Sequence, residues 1–200
     1  MHNIILTDVD EVVFRWQEPF EKWLLQTGRY QPTKPLSQYW DVEQWLGIDY
    51  EVGRELIQEF NHLEEYWSNF KPLPRVTENI SLLSDLGYKF VAITACSTDK
   101  WTYDGRLHNL EKCFGDAFDT LHCVGLGKSK SNFLERYRPT YWVEDKFSHA
   151  VAGADAGHTS VLIDYPYNSH YSDPRVNRVK NWDDIYKRIH QASILEAALS

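Results

Sequence analysis

The sequence predicts an α/β protein in which a doubly wound parallel sheet carries an inserted helical cap. Five short apolar runs, most of them rich in β-branched residues, have the length of buried strands. Helical patterns lie between most of these runs, and strands that alternate with helices are typical of parallel βαβ units. One long stretch after the first run shows no strand pattern, which predicts the insert. The five runs are residues 4–7, 90–94, 121–124, 141–143 and 160–163.

The helices of the predicted core follow from apolar spacing and from boundary residues. Residues 76–86 carry apolar side chains at helical spacing, and Gly87 suits the end of that helix. Two shorter helices are predicted over residues 131–137 and 147–156. Each of these helices connects two predicted strands, as a layered α/β fold requires.

Residues 15–71 form the predicted cap, and residues 1–14 and 72–200 form the predicted core. Within the cap, residues 51–69 show apolar spacing typical of a helix, and Pro19 opens a second helix. The cap holds 12 of the chain's 29 aromatic residues, so we expect most of these rings to fill its small interior.

Composition excludes several classes of function. The chain has 200 residues, 42% hydrophobic and 25% charged, which is the balance of an ordinary globular protein. A formal net charge of −8 argues against binding long nucleic acids through bulk electrostatics. Three cysteines without zinc-site spacing favour a reduced, cytoplasmic setting. No apolar run is long enough for a signal peptide or a membrane span.

Asp8 and Asp10 are the strongest candidates for catalytic residues. They form the only Asp-x-Asp of the chain, and they stand directly after the first predicted strand. Ligands of open α/β sheets bind beyond the carboxyl ends of the strands, where both carboxylates are expected. The alternative is a solvated strand end, which the motif alone does not exclude.

Further polar groups follow the next three predicted strands in order. Thr94 ends the second strand and is expected to donate a hydrogen bond to a phosphate oxygen. Lys128 and Lys130 follow the third strand, and either ammonium suits a phosphate; we favour Lys128. Glu144 and Asp145 end the fourth strand, and adjacent carboxylates suit a hard cation such as Mg²⁺.

This ordered set resembles the four motifs of the haloacid dehalogenase superfamily, whose core is a Rossmann-like doubly wound sheet. Within it the chain is most similar to the 5'(3')-deoxyribonucleotidase family. The resemblance extends to residues 70–74 at the return from the cap, to residues 162–168 after the last core strand, and to residues 178–182 at the start of the C-terminal helix.

The resemblance implies a magnesium-dependent phosphatase. Asp8 is then the nucleophile and Asp10 the general acid/base, while Asp8, Asp10 and Asp145, with Glu144 beside them, are the implied metal ligands. Thr94 and Ala95 are the implied phosphate-binding positions, although Ala95 stands where these nucleotidases more often have serine. Trp16 and Trp40 are our candidates for contact with a nucleobase.

The family pattern has glycine where this chain has Glu11. A glutamate adds negative charge near the phosphate site, so we expect Glu11→Gly to leave activity unchanged or to raise it. The resemblance favours hydrolysis of a nucleoside monophosphate. Two alternatives stay open: a phosphatase of another small phosphometabolite, and a non-catalytic protein that binds a phosphorylated ligand.

Overall fold

A computed structural model describes residues 3–32, 34–64 and 69–199. Its centre is one six-stranded sheet with the order β3-β2-β1-β4-β5-β6, in which every neighbouring pair is parallel. The predicted doubly wound α/β fold is therefore confirmed. The strands are β1 Asn3–Thr7, β2 Tyr88–Cys96, β3 Phe118–Gly125, β4 Tyr141–Glu144, β5 Thr159–Ile163 and β6 Val176–Val179.

The helices connect the strands in chain order. Predicted helices at residues 76–86, 131–137 and 147–156 are present, although the second is a single turn. Among the described helices that lie between strands, the longest spans residues 100–114. The helices are α1 Gln17–Thr27, α2 Val42–Leu46, α3 Tyr50–Asn61, α4 Val76–Asp85, α5 Lys100–Phe114, α6 Ser131–Leu134, α7 Phe147–Asp155 and α8 Trp182–Leu199, with a 3₁₀ turn at Leu36–Gln38.

Residues 15–71, here called the insert, contain α1 to α3 and no strand among their described residues. The predicted helix over residues 51–69 ends earlier, at Asn61, and its residues 65–68 lie outside the described part. The chain leaves and re-enters the core at adjacent points, because Phe14 and Pro72 form an antiparallel bridge. The aromatic interior of the insert packs continuously onto the core, with Trp16 and Phe20 in one apolar cluster with Ile5.

The sheet order explains how distant segments meet at one place. β1 is central, with β2 on one side and β4 on the other, and Thr7 pairs with Ala92 and Val143. Since all three strands are parallel, the residues that follow them project from the same edge of the sheet. None of the described helices is long and apolar enough to cross a membrane.

Candidate active site

Asp8 lies at the centre of a buried ionic cluster at the carboxyl end of β1. Its amide donates to the Val143 carbonyl at 2.9 Å, which fixes the residue against β4. Its Oδ1 accepts from the Val9 amide at 2.7 Å and lies 2.8 Å from Lys130 Nζ. The same ammonium lies 2.8 Å from Glu144 Oε2, and it is fully buried. Lys130 therefore bridges the ends of β1 and β4.

The charges of this cluster do not balance. Burial, together with the Glu144 carboxylate, raises the pKa of Asp8 to about 6, although Lys130 opposes the shift. Burial alone would lower the pKa of Lys130, but Asp8 and Glu144 outweigh it and hold that pKa above its ordinary value. The ammonium therefore stays charged, while the carboxylates around it repel one another.

Asp145 adds a third carboxylate. Burial, the Glu144 carboxylate and Asp8 raise its pKa well above the ordinary value. Its Oδ2 accepts from the Tyr167 hydroxyl at 2.6 Å, and its backbone carbonyl accepts from Asn168 Nδ2 at 2.7 Å. Its Oδ1 is buried and accepts no hydrogen bond from the described residues. Oxygens of Asp8, Glu144 and Asp145 lie within 4.8 Å of one another, as ligands of one cation do.

Asp10 lies beside this cluster and pairs with a different cation. Its Oδ2 accepts from Arg106 Nη2 at 2.9 Å, whereas its Oδ1 is buried without a partner in the described chain. Burial raises the pKa of Asp10, and the guanidinium opposes that shift. Arg106 Nη2 also donates to Asn61 Oδ1 at 3.4 Å, and that oxygen accepts from Trp16 Nε1 at 2.9 Å. Neither Arg106 nor Asn61 was predicted from the sequence.

Thr94 lies within β2, which continues to Cys96 and so extends two residues beyond the predicted end. Its side chain is 1% exposed, and its Oγ1 is buried without a hydrogen-bond partner among the described residues. A buried hydroxyl without a partner costs free energy, and it leaves Thr94 Oγ1 available to donate a hydrogen bond to a ligand. Ala95 lines the adjacent cavity, where it offers only a methyl group.

The two candidate lysines lie in different places, and the one that contacts Asp8 is Lys130, whereas the sequence led us to favour Lys128. Lys128 is exposed at the mouth of the cavity and forms no ion pair with a carboxylate of residues 3–32, 34–64 or 69–199. Gly127, with φ of 73°, turns the chain between the strand and α6, so only Lys130 enters the interior. A side chain at Gly127 would also clash with the hydroxyl of Tyr50 from the insert.

Glu11 lies just before the insert, and its carboxylate accepts hydrogen bonds at the start of the insert's first helix. Its Oε1 accepts from the backbone amides of Trp16 and Gln17, at 2.8 and 2.7 Å, at the start of α1. Its own carbonyl accepts from the Tyr165 hydroxyl at 2.8 Å, and its φ is 57°. Burial raises the pKa of Glu11 to about 7, against the effect of the two amides. These contacts give Glu11 a structural role that was not predicted from the sequence.

A cavity of about 540 Å³ opens between the insert and the carboxyl edge of the sheet. Trp40 is half-buried on its wall, with Lys146 Nζ 4.6 Å from the ring centre. Trp16 also lines the cavity, but it is 9% exposed and stacks on Phe20 at 4.6 Å, so its ring serves mainly the interior. The remaining lining includes Asp10, Ala95, Tyr50, Arg54, Lys128 and His149.

The family model described as "5' nucleotidase, deoxy (Pyrimidine), cytosolic type C protein" matches residues 2–195. The chain belongs to this family. Membership of this deoxyribonucleotidase family identifies the chain as a phosphatase. No curated protein matches the chain.

Solved structures similar to this deoxyribonucleotidase family member share its fold at low sequence identity. A predicted phosphatase from Clostridium acetobutylicum is 14% identical with a TM-score of 0.66, over 96% of this chain and 99% of that one. D,D-heptose 1,7-bisphosphate phosphatase from B. bronchiseptica, complexed with magnesium and phosphate, is 13% identical with a TM-score of 0.59, over 95% and 99%. L-2-haloacid dehalogenase from Xanthobacter autotrophicus is 13% identical with a TM-score of 0.61, over 95% and 99%. These likenesses support the fold alone.

Proposed function

We propose that this deoxyribonucleotidase family member is a magnesium-dependent nucleotidase that hydrolyses a small nucleoside monophosphate. The observation that carries the proposal is the position of Asp8, which lies against Lys130 and within 4.8 Å of Glu144 and Asp145. A phosphate dianion cannot approach three carboxylates and one ammonium unless a further cation is present. The cytosolic location in the family's description is part of the same proposal.

The donor set fits Mg²⁺. Asp145 Oδ1 is buried without a partner in the described chain, and the Asp8 carboxylate contacts Val9 and Lys130 through its Oδ1. Carboxylate oxygens in small number are the protein ligands that Mg²⁺ takes beside phosphate and water. We assign Asp8 and Asp145 as ligands, with the Asp10 carbonyl as the third implied by the family. The ion supplies neutralisation of the phosphate charge.

Glu144 is better placed to support Lys130 than to bind the metal. Its Oε2 contacts the ammonium, and its Oε1 accepts from the amides of Asp145 and Lys146 at 3.2 and 3.1 Å. Both oxygens are therefore engaged by the protein. We predicted Glu144 among the metal ligands from the sequence. We now propose that Glu144 holds Lys130 in place and that Asp8 and Asp145 supply the carboxylate ligands.

The chain's own residues account for the chemistry. A carboxylate oxygen of Asp8 attacks phosphorus, forming an aspartyl-phosphate as the bond to the leaving oxygen breaks. Asp10 gives a proton to that oxygen, then takes one from the water that attacks the same phosphorus and releases inorganic phosphate from Asp8. Lys130 holds Asp8 and the phosphate oxygens, and the Thr94 hydroxyl donates to one of them. Positioning and charge neutralisation contribute most of the rate.

The cavity favours a nucleotide over a smaller phosphometabolite. Its volume of about 540 Å³ suits a ligand larger than phosphate alone, and Trp40 presents a ring on its wall. Stacking of a base on an aromatic side chain contributes roughly 1–3 kcal/mol in proteins that bind single strands. A second candidate, a phosphatase of a base-free phosphometabolite, is consistent with the same catalytic residues.

A panel of phosphomonoesters tests these proposals. Phosphate release is measured with Mg²⁺ from deoxynucleoside 5'- and 3'-monophosphates, sugar phosphates and 4-nitrophenyl phosphate. Asp8→Asn serves as the control because it keeps the shape of the side chain without the nucleophile. We expect the highest kcat/KM on nucleotides and none with Asp8→Asn. Preference for base-free phosphates would favour the second candidate, and equal release by the variant would exclude the mechanism. Binding of phosphate without turnover would favour the non-catalytic alternative.

A further inference from the structure

Arg106 is a fully enclosed arginine that the proposed chemistry has not used. It lies on α5, and its side chain is 1% exposed. Arg106 and Asp10 are 96 positions apart in the sequence, and their contact joins α5 of the core to the proposed general acid. A buried ion pair is in general weak evidence for stability, since desolvation offsets much of the attraction. Its position beside the acid therefore calls for a functional explanation.

The guanidinium also contacts two residues of the insert. Arg106 Nη2 donates to Asn61 Oδ1 at the end of α3, and the guanidinium carbon lies 4.7 Å from the ring centre of Phe70, where the chain returns to the core. The Asn61 oxygen in turn accepts from the indole of Trp16 on the cavity wall. Arg106 therefore stands where the insert, the cavity wall and Asp10 meet.

The contact with Asp10 occupies one carboxylate oxygen and leaves the other. Oδ2 accepts from Arg106, while Oδ1 is buried without a partner among the described residues, and Asp10 lines the cavity. A carboxylate held by one oxygen cannot rotate freely, so its second oxygen keeps one direction. That oxygen is the one available to exchange a proton with a bound substrate.

We propose that Arg106 is a positioning residue for the general acid: it fixes the Asp10 carboxylate and makes its direction depend on the placement of the insert through Asn61 and Phe70. This inference rests on the proposed phosphatase mechanism. An arginine suits the role better than a lysine, because its planar guanidinium stacks on the Phe70 ring while its Nη2 donates to both Asp10 and Asn61.

Leaving-group dependence tests the proposal. A positioned acid matters for a substrate with a poor leaving group and little for 4-nitrophenyl phosphate, whose leaving group needs little protonation. The test compares kcat/KM, which reports steps up to departure of the leaving group, for wild type, Arg106→Lys, Arg106→Met and Asp10→Asn. Each enzyme is assayed on a nucleoside monophosphate and on 4-nitrophenyl phosphate.

We expect both Arg106 variants to lose roughly 100-fold or more on the nucleotide and no more than about threefold on the nitrophenyl ester, as Asp10→Asn does. Arg106→Met leaves Asp10 buried without a cation and risks misfolding. Arg106→Lys keeps the charge, so its thermal transition and kinetics decide the question if the methionine variant does not fold.

The matched control is Arg29→Met, which removes an arginine paired with Glu59 at 2.9 and 3.0 Å on the exposed side of the insert. We expect it to keep wild-type kinetics on both substrates. Equal losses on both substrates in Arg106→Lys, beside a selective loss in Asp10→Asn, would overturn the positioning role. An Asp10→Asn variant without selectivity, or a wild type without activity, would instead refute the proposed mechanism itself.

Discussion

Three substitutions of Glu11 separate two properties of its side chain: the hydrogen bonds that it accepts at the start of α1, and its negative charge. One carboxylate oxygen accepts from two backbone amides at the start of α1, and the side chain is 8% exposed. Glu11→Gln keeps an oxygen at that place without the charge. Glu11→Ala removes it, and Glu11→Gly removes it while it relieves the positive φ of 57°.

The magnitudes follow from these contacts. Two buried amides that lose their acceptor cost about 1 kcal/mol each, so Glu11→Ala should be about 2 kcal/mol less stable than Glu11→Gln. Glycine avoids the strain of a left-handed backbone, which is about 1–2 kcal/mol for other residues, but it also loses more entropy on folding. We therefore expect the order of stability to be Gln, then Gly, then Ala.

Urea denaturation of the three variants, without metal, measures this order directly. We also expect KM for a nucleoside monophosphate to rise in the Gly and Ala variants. Trp16 and Gln17, whose amides donate to Glu11, line the cavity and would lose that support. A Glu11→Gly variant as stable as Glu11→Gln, with wild-type KM, would refute the capping argument. That result would support our expectation from the sequence, in which Glu11 only adds negative charge near the phosphate site.

Three further predictions concern the ionic groups. Lys130→Ala should reduce turnover far more than Lys128→Ala, because only Lys130 contacts Asp8; equal losses on 4-nitrophenyl phosphate would contradict this. EDTA should stop phosphate release and Mg²⁺ should restore it, whereas Ca²⁺ should fail because its looser shell misplaces the phosphate; full activity in metal-free buffer would exclude the metal. Because burial raises the folded-state pKa of Glu11 from 4.5 to about 7, the folded protein retains a proton that the unfolded chain loses. The stability of wild type relative to Glu11→Gln should therefore fall from pH 4.5 to 7, by up to about 1.4 kcal/mol per pH unit, and stay level above; urea titrations at several pH values measure this difference.

Sequence patterns predicted the strands that carry the site because those strands are short, apolar and buried on both faces. β6 was missed, since Asn177 and Arg178 interrupt its apolar pattern, as the edge of a sheet permits. Residues 178–182, which resemble the family's start of the C-terminal helix, run from the end of β6 to Trp182, where the last helix begins.

The choice between two lysines two residues apart was beyond sequence reasoning. Spacing places both near the end of β3, and the turn at Gly127 decides which one enters the interior. Arg106 was missed because no motif links a mid-helix arginine to Asp10. A signal was nevertheless present: Thr102, Arg106 and Asn109 recur at helical spacing, and all three are buried. A polar stripe on the inner face of a core helix indicates a buried network.

Glu144 and Asp145 show how two adjacent carboxylates take different roles at one site. Two neighbouring carboxylates stand at the end of β4, but they have different partners. The longer side chain of Glu144 reaches Lys130 with one oxygen and the amides of residues 145 and 146 with the other. Asp145, held by Tyr167 through Oδ2, keeps Oδ1 without a partner among the described residues. Because glutamate at position 144 serves the lysine and aspartate at position 145 remains free for a cation, the extra methylene of Glu144 is compatible with the magnesium site proposed above.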